Sequence, residues 1–413
     1  MKLLHNLFWQ FLNHGLGRAA LWLFFMCIPI WLGPQGYGKF SFAFSISMIA
    51  AAVFFQARSD LVIIRQVREN DESVLSLFFW LRLLVCACAL LVLTGARLGH
   101  PHLEIFLWLL GYWFFWSLQD LYFAYLRSQE QMRLEGIVGL AQKLLALLLL
   151  FWLGGLKSGR SETMPARALC LATGAGLAAV LIFSPPLRER TCRWLRRVPA
   201  GKIKKPLDPA LKEIGLLGLV ALLATVHFHI DKVMLGVLAS ARVVGWYTLA
   251  VRLVEAFLVL PALVMAAFYP RLVRPGDNSR SVSVFLFWGL LLSATLLAFA
   301  GQLLAAPLIP LIWGQGFAPA AGIFQVLVFS IIPIYPGYLV TQQLVAARRT
   351  KAYLYISLAA CAINIALNLL WIPRWQASGA AWATIVSEAS VTIGGVLALR
   401  HNPFGGSPGK PRP

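Results

Sequence analysis

Charge is what this sequence lacks most. Of its 413 residues only 13% are charged while 59% are apolar, against roughly 25% charged in an average soluble domain. A water-soluble chain of this length needs polar surface for two or three domains, which this composition does not supply, so the bilayer has to be the solvent. Acids are scarcer still: Asp and Glu number 16 against 36 Lys and Arg, a formal charge of +20. The basic residues recur in short clusters between apolar runs, whereas a nucleic-acid face calls for one continuous stripe. Cysteines 27, 86, 88, 170, 192 and 361 form no CxxC pair, and all but one lie in apolar runs, so no disulfide or metal framework is expected. P-loop, HExxH and dinucleotide glycine patterns are all missing, and no enzyme activity or cofactor is expected.

What is present is a series of long apolar runs. A membrane helix needs about 20 mostly apolar residues, and twelve segments qualify: 7–32, 38–57, 74–95, 104–125, 136–154, 167–184, 214–238, 246–270, 281–302, 319–341, 352–371 and 379–399. The start of the chain mimics a signal peptide, but Asn6, Gln10, Asn13, His14 and Arg18 interrupt it and no small-x-small site follows, so it reads as a first membrane helix. The expected class is therefore an all-α membrane protein of about twelve helices.

Lys and Arg set its orientation, because cytoplasmic loops carry their excess. With both termini inside, 24 fall on the cytoplasmic side, seven outside and five within helices (Arg18, Arg82, Lys143, Lys232 and Arg252). The longest polar interruption, 186–212, holds nine basic and two acidic residues near mid-chain. It reads as a cytoplasmic linker, attracted to anionic lipid or docking a partner. The expected domains are thus 1–185, a six-helix lobe; 186–212, the linker; 213–400, a second six-helix lobe; and 401–413, a flexible Gly/Pro-rich tail. Aligning Gly38 with Gly245, an offset of 207, brings the other helix starts into approximate register. Such a repeat places a transport site between the lobes.

Charge at membrane depth carries the chemistry. Each such residue costs on the order of 3 kcal/mol at a helix centre, so Arg18, Arg82, Lys143, Glu255 and Glu388 together cost about 15 kcal/mol, as much as the whole stability of a domain. They are tolerable only facing water or one another. Three polar stripes fit a wet interior: Asn6, Gln10, Asn13, His14, Gly17 and Arg18; Tyr353, Ser357, Cys361, Asn364 and Asn368; and Thr384, Glu388 and Thr392. Interhelical hydrogen bonding explains each stripe alone equally well.

Arg18, Arg82 and Lys143 have one acid at comparable depth in their half, Asp120. An anionic cargo would supply the counter-charge, and guanidinium suits phosphate oxygens. Pairing to helix carbonyls, Asp120 or Glu388 is the alternative. In the C-terminal half Arg252 has Glu255 three residues on, and Asp231 adjoins Lys232. His227 and Asp231 share a helical face, a spacing that suits a proton relay or a simple mutual bond. Pro333 and Pro336 predict a kinked tenth helix and a bending point for gating.

Leu32-Gly33-Pro34-Gln35-Gly36-Tyr37-Gly38, Ile230-Asp231-Lys232-Val233-Met234-Leu235-Gly236, Val244-Gly245-Trp246-Tyr247 and Tyr269-Pro270-Arg271-Leu272 stand in order along the chain. Ile363-Asn364 to Ile372-Pro373 and Gly379 to Thr384 follow them. Together these strings resemble the polysaccharide or O-antigen flippases of the multidrug/oligosaccharidyl-lipid/polysaccharide exporter superfamily. The resemblance implies twelve helices in two lobes that alternate access, in a bacterial inner membrane. Their cargo would be an undecaprenyl-diphosphate-linked oligosaccharide, drawn by a cationic lumen and driven by an ion gradient. Here the lumen set would be Arg18, Arg82, Lys143, Asn13 and Arg252, with coupling or gating by Asp120, His227, Asp231, Glu255, Glu388, Pro333 and Pro336. A polymerase and a chain-length regulator would be the protein partners. Two rivals are weaker. A drug or cation exporter wants acids in the N-terminal lobe, where Asp120 stands alone, and a polymerase or ligase wants a sizeable outer loop, where every outer loop is about 16 residues or shorter.

Overall fold

The computed structural model describes residues 8–9, 12–54, 73–97, 103–129, 131–156, 161–196, 209–273 and 278–400. Among them there is helix and turn and no strand. Nine stretches are long and apolar enough to cross a membrane, and each predicted segment falls mainly on helical residues. Leu303 and Leu311, each 78% exposed, mark the outer surface of such helices as one made for lipid. The tail 401–413, the basic stretch at 58–72, and Asn6 and Gln10 lie outside the described residues.

The chain forms two compact units, Met1–Ile214 and Gly215–Pro413. In the first, a π-helical turn, Leu12–Leu16, leads into α1 (Gly17–Phe54), followed by α2 (Ser73–Arg97), α3 (Glu104–Ser128), α4 (Met132–Gly155), α5 (Met164–Phe183) and α6 (Pro185–Arg196). Helix α5 packs against both α3 and α4, while α1 lies on α4 and α2 on α3. The core joins Phe79, Leu121, Tyr122, Val138, Val180 and Leu187, one or two from each of α2 to α6. Small residues let these helices approach, as expected where lipid removes the hydrophobic drive between them: a Cβ on Gly154 would meet the Trp31 ring at 2.8 Å.

The second unit contains α7 (Pro209–Leu238), whose first residues belong to the first unit, α8 (Ala241–Phe257), α9 (Val259–Val273), α10 (Asn278–Trp313), α11 (Ala318–Leu327), α12 (Ile331–Ala346) and α13 (Thr350–Arg400). Ser240 caps α8, its hydroxyl accepting from Val243 N at 3.4 Å. Helices α10 and α11 are tied by their glutamines: Gln325 Nε2 donates to the Gln302 carbonyl at 3.0 Å, and Gln302 Nε2 returns a bond to the Gln325 carbonyl.

The breaks fall differently from the expected loops. Residues 32–38 read as a connection, but α1 is interrupted only at Gly33, with φ 62° and ψ −179°, a conformation confined to glycine. Gln376, at φ 46°, is likewise the one non-helical residue inside α13. The predicted helix at 246–270 is instead two, meeting at Leu258. Pro261 has no N–H to give the Phe257 carbonyl, and Tyr335 Oη of α12 supplies that donor at 2.7 Å. In the tenth predicted segment the helix tightens to a 3-10 turn at Val328–Ser330, one turn before Pro333, where the proline ring crowds the carbonyl four residues back. The expected linker begins as helix α6.

Candidate functional site

Each unit holds a polar cluster. In the first, Lys143 of α4 donates its Nζ to Asn13 Oδ1 at 2.8 Å and to the Asn13 carbonyl at 3.0 Å. Two glycines make the room: a Cβ on Gly139 would collide with the Asn13 amide, and one on Gly17 would lie 2.8 Å from Lys143 Nζ. Arg18, the next residue along α1, is exposed. Two turns before Lys143 on α4, Glu135 is fully buried and takes a bidentate grip from Arg127 at 2.6 and 3.0 Å. This pair was not anticipated. Its signal was an arginine in the last turn of one helix and an acid in the first turn of the next.

Arg82 stands apart from Lys143's partners. It is 1% exposed, in the seam between α2 and α3, where Nη1 donates to the Ser117 carbonyl at 2.5 Å. Asp120 follows Ser117 by one turn of α3 and is half-buried. Of the expected lumen set, then, the first unit brings Asn13 and Lys143 together, seats Arg82 in a helix seam and leaves Arg18 exposed. Arg252 belongs to the second unit, paired with Glu255 at 2.7 Å.

The second cluster is denser. His227 and Asp231 on α7 face Thr384 and Glu388 on α13, two pairs each spaced by four and so each on one helical face. His227 Nε2 meets Glu388 Oε1 at 3.1 Å. Tyr247 of α8 donates to Asp231 Oδ2 at 2.5 Å, and its hydroxyl lies 3.2 Å from Thr384 Oγ1. Asp231 Oδ1 accepts from the Lys232 backbone N–H at 2.7 Å and lies 3.6 Å from Lys232 Nζ, which also donates to the Phe228 carbonyl at 2.7 Å. A cavity of about 40 Å³ opens among His227, Asp231, Tyr247, Glu255, Thr384 and Glu388, enough for a water molecule or two. The cluster can therefore hold or pass a proton among three carboxylates, an imidazole and a phenol.

Tyr247 went without a role in the sequence, because an aromatic residue in an apolar helix reads as packing. Other polar residues of the expected stripes serve as adhesive. Asn368 bonds Asn364 at 2.9 Å and Asn364 bonds Ser387 at 3.2 Å, all of them buried. Thr392 donates to the Pro333 carbonyl at 2.7 Å, which ties the proline-bearing α12 to α13. Pro336 follows one turn later in α12.

A chain whose described residues are helix and turn, nine stretches of them long and apolar enough to cross a membrane, is a multi-pass membrane protein. It belongs to the family described as polysaccharide biosynthesis protein, whose sequence model matches residues 3–275. A probable flippase, AglR of Haloferax volcanii, is 29% identical over 181 residues. That match covers 42% of this chain and 37% of the relative, so it spans little more than a third of the curated protein's length. Among solved structures, an inward-facing multidrug resistance transporter of the MATE family, in the MOP superfamily, aligns with a TM-score of 0.67 at 15% identity over 92% of this chain and 93% of that one. The lipid II flippase MurJ in an inward closed conformation aligns with a TM-score of 0.66 at 11% identity, over 94% and 86%. At those identities the likeness establishes a shared fold.

Proposed function

We propose that this protein is a flippase that carries a polyisoprenyl-diphosphate-linked oligosaccharide from the inner to the outer leaflet of a cell membrane by alternating access. The match of a polysaccharide biosynthesis family to residues 3–275 carries this reading, and a probable flippase among the relatives supports it. In this reading Lys143 and Arg18 meet the cargo diphosphate, with Asn13 holding the lysine in position. The burial of Arg82 on the Ser117 carbonyl favours a role in fixing α2 on α3, and Arg252 serves through its bond to Glu255. The His227, Asp231 and Glu388 cluster couples movement to an ion, which requires that the ion bind the two access states unequally. Asp120 contributes to the electrostatics of the α2–α3 seam, and Pro333 and Pro336, which remove backbone donors, make α12 a bending point. In a bacterium the protein would sit in the inner membrane and hand O-antigen or similar repeat units to a polymerase and a chain-length regulator.

The test is translocation in proteoliposomes. A lipid-linked oligosaccharide placed in one leaflet should become accessible to a membrane-impermeant lectin only when the protein is present. Loss of accessibility in a Lys143→Glu variant of normal fold is expected. Wild-type vesicles that move no more lipid-linked sugar than empty ones would overturn the reading.

A further inference from the structure

The first unit also carries an open groove of about 970 Å³ between α4 and the end of α5, at the upper end of ligand pockets. Its long walls are apolar: Leu134, Ile137 and Ala141 of α4 stand across from Ala175, Ala179 and Phe183 of α5. Gln142 is the polar exception, but its amide oxygen is buried, 2.3 Å from where a Gly176 Cβ would stand, and offers the groove no exposed acceptor. From Leu134 to Leu145 the wall runs about 16 Å at 1.5 Å per residue. One leaflet of the hydrocarbon core is about 15 Å deep, so the wall has the length of a single acyl chain.

One end of the groove is cationic. Arg133 lines it, exposed, with its guanidinium over the Trp9 ring at 5.7 Å. Glu135, two residues on, is buried and held by Arg127, so it does not neutralise Arg133. Ser184, Pro185 and Pro186 close that end at the start of α6, whose Arg188 and Arg193 are exposed, with Glu189 the one acid of the helix. Helix α6 is anchored by its other face: Leu187 is fully buried, Tyr122 Oη lies 2.9 Å from Thr191 Oγ1, and Arg190 stacks over the Tyr125 ring at 4.5 Å. The positive-inside rule puts this end at the cytoplasmic face, where a tryptophan at headgroup depth is also at home and where anionic lipid is concentrated.

We infer that this groove is a binding site for one anionic phospholipid of the cytoplasmic leaflet, with an acyl chain lying between α4 and α5 and the phosphodiester beside Arg133. Such a lipid joins the start of α4 to the turn between α5 and α6, whatever the protein transports. Length and charge together select this occupant. A polyprenyl chain would outrun a wall one leaflet deep, and a zwitterionic lipid would bring its own cation to an end already in excess of arginine.

The experiment uses the full chain in phosphatidylcholine nanodiscs doped with a phosphatidylglycerol that bears a photoreactive group midway along one acyl chain. Cross-links should map to 134–145 and 175–183. Unlabelled phosphatidylglycerol should compete at least about fivefold better than phosphatidylcholine, the worth of one basic residue at an anionic surface, and Arg133→Gln should lower that preference about fivefold. Ala141→Trp with Ala175→Trp, both at exposed positions, should fill the groove and remove most of the labelling; if that pair fails to fold, the Arg133→Gln comparison still decides. Labelling spread evenly over the lipid-facing helices, equal competition by phosphatidylcholine, stronger competition by geranylgeranyl diphosphate, or an unchanged preference in folded Arg133→Gln would overturn the site.

Discussion

Asp231→Asn isolates the energetics of the second unit's cluster. The substitution keeps the shape of the side chain and removes the charge: Oδ1 can still accept from the Lys232 N–H, while Nδ2 reverses the bond to Tyr247, whose hydroxyl then accepts and can donate to Thr384 Oγ1. Lys232 is 2% exposed and its ammonium sits 3.6 Å from Asp231 Oδ1. At an effective dielectric of about 20, an ion pair at that distance is worth about 4.6 kcal/mol, and breaking a buried pair by removing one partner costs about 3–5 kcal/mol. The Phe228 carbonyl remains as an acceptor for Lys232, which places the expected loss near the lower end, about 3 kcal/mol, or roughly two decades in the unfolding equilibrium. Removing both charges, Asp231→Asn with Lys232→Met, leaves no stranded ammonium and should recover stability to within about 1 kcal/mol of the parent. Unfolding in mixed micelles, run as a double-mutant cycle, measures each term. Asp231→Asn with parental stability, or a double variant no better than the single, would refute the argument that Lys232 depends on this carboxylate.

Three further outcomes are expected. Replacing Gly33 by Ala forces a side chain into φ 62°, ψ −179° and should cost about 1–3 kcal/mol, read as a lower melting temperature of the purified protein. Tyr335→Phe removes the donor to the Phe257 carbonyl and should cost about 1–3 kcal/mol with faster backbone hydrogen exchange around Leu258, whereas an unchanged melt and exchange pattern would show that water or another group serves as well. Lys143→Arg should keep at least a tenth of wild-type translocation and Lys143→Glu should keep none above empty vesicles; equal activity in the two variants would remove Lys143 from the cargo path.

The helical class was legible because bilayer burial writes itself into composition, and each polar spacing of four was legible because a helix repeats at 3.6 residues. His227 with Asp231 and Thr384 with Glu388 could thus be assigned to faces. That the two faces meet, across 161 residues of chain between His227 and Glu388, could not. Depth was legible for Arg82, but azimuth was not: nothing in a run of leucines says which side of α2 turns toward α3. The single-residue break at Gly33 was hidden for a related reason. Leu32-Gly33-Pro34-Gln35-Gly36 has the composition of a surface turn, yet within a membrane protein Pro and Gly sit inside helices when neighbours satisfy the freed backbone groups.

The bond from Tyr335 to the Phe257 carbonyl carries a mechanical consequence. The elbow between α8 and α9 is latched by a hydroxyl from α12, a helix with prolines on both sides of that tyrosine. Neither segment can swing away from the other without breaking that bond, so a displacement of α12 would load the break between α8 and α9 and, through it, the helix that bears Tyr247 and Glu255.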